Sequence, residues 1–525
     1  MNNKNIVLVT MNARYSHSAL GLYYLKANLQ ELQEQAHITE FTLETKIEDC
    51  VEEIFAYTPK IVGIGVYIWN VEKMLALAQM LKLLAPKLLI VGGGPELFYE
   101  VEKHPLFPYL DYVIPGEGER VFYSFCKNIF QGKLPGESKI LPRDFPPLES
   151  LLSPYPLYSE ENIKNRRVYV ESSRGCPYHC EFCLSSRETK VRHFPLQHFL
   201  QDLSSLWNRG VREFKFIDRT FNLDLQHSLP ILEFFLNQKQ HDFFLHFEMV
   251  PHHLPLELKE VLKRFTQGQI QAEVGVQSFN PEVAKRVGRV AKGQEILENL
   301  SFLRNETQVY LHVDLIVGLP GESLESFAAG FDLLMGLSPK VHEIQIGILK
   351  CLPGALIARH TEDFEMLYNR APPYDILQNQ QITFADLQRI KRLAKFWDLY
   401  NNSGNFKNTL PLLFKRKRES CLNQAFAFFS FLDFSDWCYQ QVKHTSSLAL
   451  ERQALLLYRY LIEQIKYPAS DVTPLLQKDY LCIEGRHLPP FLRGLQQEHS
   501  LLNKDKGEKI AKRSLSRKRQ IKQGS

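Results

Sequence analysis

The chain has 525 residues, 44% hydrophobic and 23% charged; this is the balance of a globular protein, and at ~150 residues per domain the length implies about three domains. Nine cysteines over such a length exclude a small disulfide-framework fold, and no stretch approaches the ~20 apolar residues that a membrane-spanning helix requires. The net charge of +4 is local: residues 503–525 hold nine Lys/Arg against two Asp/Glu, which leaves −3 on the rest. The basic segment therefore reads as a disordered tail that aids solubility, and nucleic acid is not an expected partner.

The opening run Ile6-Val7-Leu8-Val9-Thr10 is too short for a signal peptide, and with no disulfide framework a reducing cytoplasm is the expected compartment. Up to residue 135, short apolar runs alternate with helical patterns. Strands are expected at Ile6–Thr10, Ile38–Leu43, Ile61–Val66, Leu88–Val91 and Tyr112–Ile114, with helices such as Leu20–Leu32 and Val71–Leu84 between them. Five strands joined by helices predict a Rossmann-like, doubly wound parallel sheet, whose ligands lie beyond the strand C-termini. The unusual residues fall there: Asn12–Gly21, Tyr67–Asn70, Gly92-Gly93-Gly94-Pro95-Glu96 and Pro115-Gly116-Glu117-Gly118-Glu119. Glycines let a ligand approach the backbone closely.

Residues 136–166 read as a proline-rich linker without regular structure. From residue 167 to 360 the alternation resumes, with strands expected at Val168–Ser172, Glu213–Ile217, Phe243–Glu248, Ile270–Gln277, Val309–Val317 and Glu343–Leu349. Helices are expected at Leu196–Trp207, Pro281–Val287 and Ser323–Met335. Six βα units cannot close an eight-stranded barrel and fit a partial, open (β/α)6 one. Barrel chemistry gathers at strand C-termini, where this segment places its cysteine loop, Asp218, Glu248, Gln277 with Ser278, and Gly318-Leu319-Pro320-Gly321-Glu322. As carboxylates, Asp218 and Glu248 suit a cationic or hydroxyl-bearing ligand, or else cap helices as strand-end acids often do.

The cysteine loop, Ser172-Ser-Arg-Gly-Cys176-Pro-Tyr-His-Cys180-Glu-Phe-Cys183, is the most specific signal. A structural zinc site wants four ligands in two separated pairs, and His179 between two of the cysteines would strain so short a loop. A [4Fe–4S] cluster can be held by thiolates crowded on one loop; three leave one iron without a cysteine and open to a further ligand. The other six cysteines, Cys50, Cys126, Cys351, Cys421, Cys438 and Cys482, are scattered in mainly apolar surroundings, as core thiols are.

The spacing Cys-x3-Cys-x2-Cys with Phe182 before the last cysteine resembles the signature of radical S-adenosylmethionine (SAM) enzymes. The resemblance implies that Cys176, Cys180 and Cys183 hold the cluster, that SAM chelates the open iron, and that Phe182, Asp218, Glu248, Gln277 and Ser278 bind SAM. Glu273–Glu282 and Asp314–Glu322 resemble the fourth and fifth strand segments of such barrels. Val-Gly-Gly-Gly-Pro-Glu followed by Asp-Tyr-Val-Ile-Pro-Gly-Glu-Gly-Glu resembles the cobalamin-binding domain that precedes many of these barrels. That likeness implies cobalamin contacts from Ser16, His17, Tyr67, Gly92, Gly93, Gly94, Pro95, Glu96, Gly116 and Glu117. The usual Asp-x-His-x-x-Gly motif of a lower cobalt ligand is missing, so His17 reads as a loop hydrogen-bonding residue.

Beyond residue 361 the strand signals stop. Ile382–Leu399 is helical in pattern, and Ala425–Leu432 is an aromatic stripe that reads as helix core; residues 361–502 resemble a helical extension found behind some cobalamin-dependent radical SAM cores. The expected protein generates a deoxyadenosyl radical for methyl transfer to an unactivated carbon, with a small-molecule or biosynthetic-intermediate substrate and a reductant such as ferredoxin or flavodoxin. Radical chemistry without methyl transfer, such as a rearrangement, cyclisation or sulfur insertion, is one alternative, and a nucleic-acid-binding or regulatory iron–sulfur protein another.

Overall fold

The computed structural model describes residues 4–134, 136–289, 292–415, 426–483 and 485–493. Cys421 and the basic tail lie outside the described residues. The chain divides into two compact units. One comprises Met1–Glu248 with Lys350–Ala358 and Asn369–Asp375, and the other comprises Met249–Leu349, Arg359–Tyr368 and Ile376–Ser525.

The first unit opens with a five-stranded parallel sheet: β1 Ile6–Asn12, β2 Ala36–Thr42, β3 Ile61–Gly65, β4 Leu89–Gly93 and β5 Tyr112–Ile114, in the order β2-β1-β3-β4-β5. Every residue of β1 is buried, as a parallel sheet covered on both faces demands. Val7, Val9 and Met11 pack with Val62 and Ile64 against Ile54, Met74, Leu77 and Leu81 of helices Ile47–Ala56 and Val71–Leu84. On the opposite face Ile6 and Leu8 pack with Leu22, Phe122 and Phe125 of helices Leu20–Ala27 and Glu119–Phe130. The chain leaves β1 toward β2 on one side and β3 on the other. That reversal opens a crevice beyond the strand C-termini.

Strands β6 Val168–Val170, β9 Glu213–Phe216 and β10 Phe244–Met249 lie in the order β10-β9-β6, and strands β11 Ile270–Gln277, β12 Tyr310–Val317 and β13 Glu343–Ile348 in the order β13-β12-β11. The paired strands β6–β9, β9–β10, β11–β12 and β12–β13 run parallel. A two-residue antiparallel pair, β7 Ser173–Arg174 and β8 Arg192–His193, closes the base of the cysteine loop.

In the second unit helices Leu324–Met335, Phe384–Trp397 and Phe426–Val442 enclose an aromatic core, with Trp397 edge-on to Phe331 and Phe431 at 4.8 Å each. Phe428 and Phe431 of the aromatic stripe are buried, as is Phe434 just beyond it. Asp332 caps that helix by accepting the Ala427 and Phe428 amides at 2.9 Å, which satisfies donors that have no intrahelical partner.

Three expectations need correcting. The linker holds a helix, Glu160–Asn165, because Ser159 and Asn162 form a reciprocal capping box despite the neighbouring prolines. A short antiparallel pair, β14 Leu367–Tyr368 with β15 Ile376–Gln378, follows residue 361. The expected helix Leu20–Leu32 ends at Ala27, and a 3-10 turn begins at Gln30 in the left-handed region, φ 49°. Of the scattered thiols, Cys50, Cys126 and Cys438 are buried, whereas Cys482 is exposed.

Candidate functional site

The cysteine loop leaves the sheet after β6 and returns through β8. Gly175 sits at φ +91°, and a Cβ there would lie 2.3 Å from the Lys190 carbonyl oxygen; only glycine makes this turn without strain. The Cys176 amide donates to the Glu188 carbonyl at 3.1 Å, the Cys183 amide to the Cys180 carbonyl at 3.0 Å, and the Ser186 hydroxyl to the Cys183 carbonyl at 2.7 Å. Cys180 is buried, and Cys176 and Cys183 are half-buried.

Among the described residues no three His, Cys, Asp or Glu side chains converge on one metal ion. A cubane cluster does not ask for that: each thiolate binds a different iron, so its ligands stand apart around the cluster. Three thiols on one loop closed at its base, with Cys183 on a cavity wall, are a donor set that fits such a cluster.

The cavity measures about 1120 Å³ and lies wholly within the first unit, larger than the ~300–1,000 Å³ of ordinary small-molecule pockets. Gly21, Tyr67, Gly92–Pro95 and Gly116–Glu119 line it from the strand ends of the first sheet, and Phe182–Glu188 from the cysteine loop. Leu352 and Leu356 add apolar surface. The glycines are required by space: a Cβ on Gly94, at φ +105°, would stand 2.5 Å from the Val66 carbonyl oxygen, and one on Gly92 would stand 2.6 Å from the side chains of Leu97 and Leu110. Tyr67 stacks on Trp69 with 4.7 Å between ring centroids, and burial pushes its phenol up to about 12, so it stays a neutral hydroxyl.

Three residues expected in this cleft, Ser16, His17 and Glu96, are absent from its lining. Ser16 and His17 engage the neighbouring strand: the Ser16 carbonyl accepts from the Arg167 amide at 2.8 Å, and the His17 ring Nδ1 bonds the Tyr169 hydroxyl. Glu96 is buried beside the wall, where its carboxylate accepts from the Tyr374 hydroxyl at 2.8 Å.

A charged network joins the two sides of the cavity. Arg174 pairs with Glu117 at 2.8 Å, Glu119 at 2.8 Å and Glu171 at 3.0 Å, and its guanidinium lies 4.8 Å from the centre of the Tyr24 ring. Arg192 pairs with Glu117 and with Glu188. Burial raises the Glu171 carboxyl to about 7 against the attraction of Arg174. Sequence reasoning did not single out Glu171, although the signal was present: it is an acid at the C-terminal end of a short strand, as Asp218 is.

Of the residues expected at SAM, Phe182 lines the cavity. Asp218 is buried, and its Oδ1 accepts from the Ser172 and Ser173 hydroxyls at 2.6 Å each, while Oδ2 accepts from the Ser172 amide at 3.1 Å. The carboxylate thus holds the entry to the cysteine loop. Glu248 is less enclosed and pairs with Arg219 at 3.1 Å; Arg219 lines the cavity.

In the second unit, Gln277 ends β11 at φ +72°, and its side chain occupies space that a Cβ on Gly275 would need. The Ser278 hydroxyl donates to Glu322, whose carboxyl burial raises to about 7. On β12, His312 lies between Asp314 at 3.1 Å and Glu343 at 3.0 Å, and Tyr310 donates to Glu343 at 2.5 Å. The period-2 spacing of Tyr310, His312 and Asp314 was the available signal for this network. Asn280 caps helix Pro281–Arg286, accepting from the Glu282 and Val283 amides.

These loops define a cofactor-binding protein in which a glycine-lined sheet edge and a three-cysteine loop share one cavity. Residues 6–125 match the B12 binding domain, residues 170–334 the radical SAM superfamily, and residues 362–525 a protein family of unknown function, DUF4080. The chain therefore carries a radical SAM domain between an N-terminal B12-binding domain and a C-terminal DUF4080 region. It is similar to the uncharacterized methyltransferase PH0819 of Pyrococcus horikoshii, 25% identical over 334 residues that cover 59% of this chain and 71% of that protein. It is also similar to the cobalamin-dependent radical SAM methyltransferase TokK of Streptomyces tokunonensis, 23% identical over 56% of this chain and 48% of that one. The chain thus spans about half the length of TokK. The solved structure of the cobalamin-dependent SAM radical enzyme OxsB with aqua-cobalamin and SAM bound has the same fold, with a TM-score of 0.62, 14% identity and coverage of 98% of this chain and 83% of that one.

Proposed function

We propose that the protein is a cobalamin-dependent radical SAM methyltransferase. The observation that carries this reading is the shared cavity, whose walls are the glycine loops of the first sheet and the loop of Cys176, Cys180 and Cys183. When bound, the [4Fe–4S] cluster, SAM and cobalamin supply the one-electron cleavage and the methyl group that an unactivated carbon, lacking any acid–base handle, requires. The chain supplies binding and order. The three thiols would hold the cluster, Gly92–Gly94 and Gly116 would leave room for a large planar ligand, and Phe182 on the cavity wall and Glu248, paired with the lining residue Arg219, would bind SAM. Asp218 fixes Ser172 and Ser173 ahead of the loop, while Leu352 and Leu356 keep water from a radical site.

The substrate is a small molecule or biosynthetic intermediate, and a ferredoxin- or flavodoxin-type protein delivers the electron in the cytoplasm. Among the described residues no helix is long and apolar enough to cross a membrane. The test is anaerobic purification with a cofactor inventory. About four irons and about one cobalt per chain are expected, together with release of 5′-deoxyadenosine from SAM on reduction. SAM cleavage with no uptake of cobalamin would overturn methyl transfer in favour of radical chemistry without it, and no SAM cleavage would overturn the enzyme reading.

A further inference from the structure

The two ends of the cysteine loop grip a single carboxylate. Ser173–Arg174 pairs with Arg192–His193 to close the loop, and both arginines of that pair reach Glu117: Arg174 Nη1 donates to Oε2 at 2.8 Å, and Arg192 Nη2 donates to Oε1. Glu117 lies between Gly116, at φ +105°, and Gly118, and all three line the cavity beside the Gly92–Pro95 loop. The three charged side chains are only 11–16% exposed. Charge-assisted bonds shielded in this way are stronger and less yielding than surface pairs. Any ligand seated against Gly116–Gly118 therefore bears on the residue that anchors both strands closing the cysteine loop.

We propose that Glu117 is a positioning residue that couples the corrin side of the cavity to the cysteine loop, so that cobalamin occupancy sets the order of that loop and the environment of its cluster. This rests on the reading that the cavity takes cobalamin. The coupling is specific to Glu117, because the other partners of the two arginines differ: Arg174 also holds Glu119 and Glu171, and Arg192 also holds Glu188. Removing the Glu117 charge thus loosens the link while leaving each arginine a carboxylate partner. Glu117→Gln keeps the shape and one acceptor, so the fold is expected to survive.

The experiment follows the loop by two readouts at saturating hydroxocobalamin, with cobalt content measured in each sample. In cluster-free wild type, cobalamin should slow amide hydrogen exchange in residues 176–186 by about tenfold. In the reconstituted, reduced protein it should shift the g-values of the cluster EPR signal. Glu117→Gln carrying equal cobalt should show neither response, and Arg192→Lys, which keeps the charge but loses the fork, should show a reduced one. Full responses in Glu117→Gln, or none in cobalt-loaded wild type, would overturn the coupling. Wild type that takes up no cobalt would overturn the cobalamin reading itself and the coupling with it, an outcome the cobalt assay separates from the others.

Discussion

Ser172 donates its hydroxyl to the Asp218 carboxylate at 2.6 Å, so the acid at the end of β9 secures the residue four positions before Cys176. With Ser173 and the Ser172 amide also bound, the side chain is an internal brace. Asp218→Asn replaces charge-assisted acceptors by a weaker one and an amide donor. It should cost about 1.5–3 kcal/mol and lower the thermal unfolding midpoint. Glu248→Gln, at a partly exposed pair with Arg219, should leave unfolding unchanged and weaken SAM binding measured by calorimetry. Equal midpoints for Asp218→Asn and wild type would refute the brace.

Cluster loading should depend on turn geometry as well as on thiols. Cys183→Ala is expected to abolish the visible absorption of the reconstituted protein, while Cys438→Ala, at a buried thiol in the second unit, retains it. Gly175→Ala keeps all three thiols but forces a Cβ to 2.3 Å from the Lys190 carbonyl. It should lose most of the iron, which a colorimetric iron assay would read.

His312 sets a pH dependence. Burial disfavours its charged form, but the hydrogen bonds to Asp314 and Glu343 outweigh burial and raise it from 6.5 to about 10. A pKa raised on folding contributes stability that is complete below the unfolded value, falls as pH rises, and is gone above the folded one. Wild type should therefore lose stability relative to His312→Gln between pH 6.5 and about 10, in denaturant titrations of both proteins. Tyr310, Asp314 and Glu343 remain in the variant, and because His312 holds the Asp314 carboxyl down against burial, the difference reads the coupled network and not the imidazole alone. At pH 7 the variant itself should be destabilised by about 3–5 kcal/mol, since two buried carboxylates lose their cation.

Cobalamin should bind without a histidine on its lower face. His17 engages Tyr169 and does not line the cavity. Hydroxocobalamin uptake should thus persist in His17→Ala, and the cob(II)alamin EPR spectrum of wild type should lack nitrogen superhyperfine splitting from the protein. Splitting that disappears in His17→Ala would reverse this assignment.

The sequence conveyed the sheets well because their signals are local. The expected ranges Val71–Leu84, Tyr112–Ile114 and Ile270–Gln277 coincide with the observed elements, since periodicity or a buried apolar run marks both ends. The helix Glu160–Asn165 escaped notice because prolines dominated the reading of its surroundings, although Ser159 and Asn162 carried a cap signature. What a side chain is spent on was beyond reach wherever the partner is distant. Asp218 meets Ser172 across 46 positions and Arg174 meets Glu117 across 57, and no local pattern announces either pairing. The cysteine spacing and the two glycine clusters were legible as separate motifs; only the fold brings Gly92–Pro95, Gly116–Glu119 and Phe182–Glu188 around one cavity.

The first unit is not a continuous stretch of chain: Lys350–Ala358 and Asn369–Asp375 return to it after Glu248, bringing Leu352 and Leu356 to the cavity, the Ile357 amide to the Glu181 carbonyl and Tyr374 to Glu96. On the ribosome, then, the cofactor chamber cannot be finished in the order in which it is translated. The three cysteines emerge long before the residues that wall them in, and a nascent chain halted anywhere short of Asp375 presents an open chamber. Cluster delivery before that point would meet a loop still exposed to water and oxygen, so maturation is expected to wait until the chain has been synthesised through Asp375.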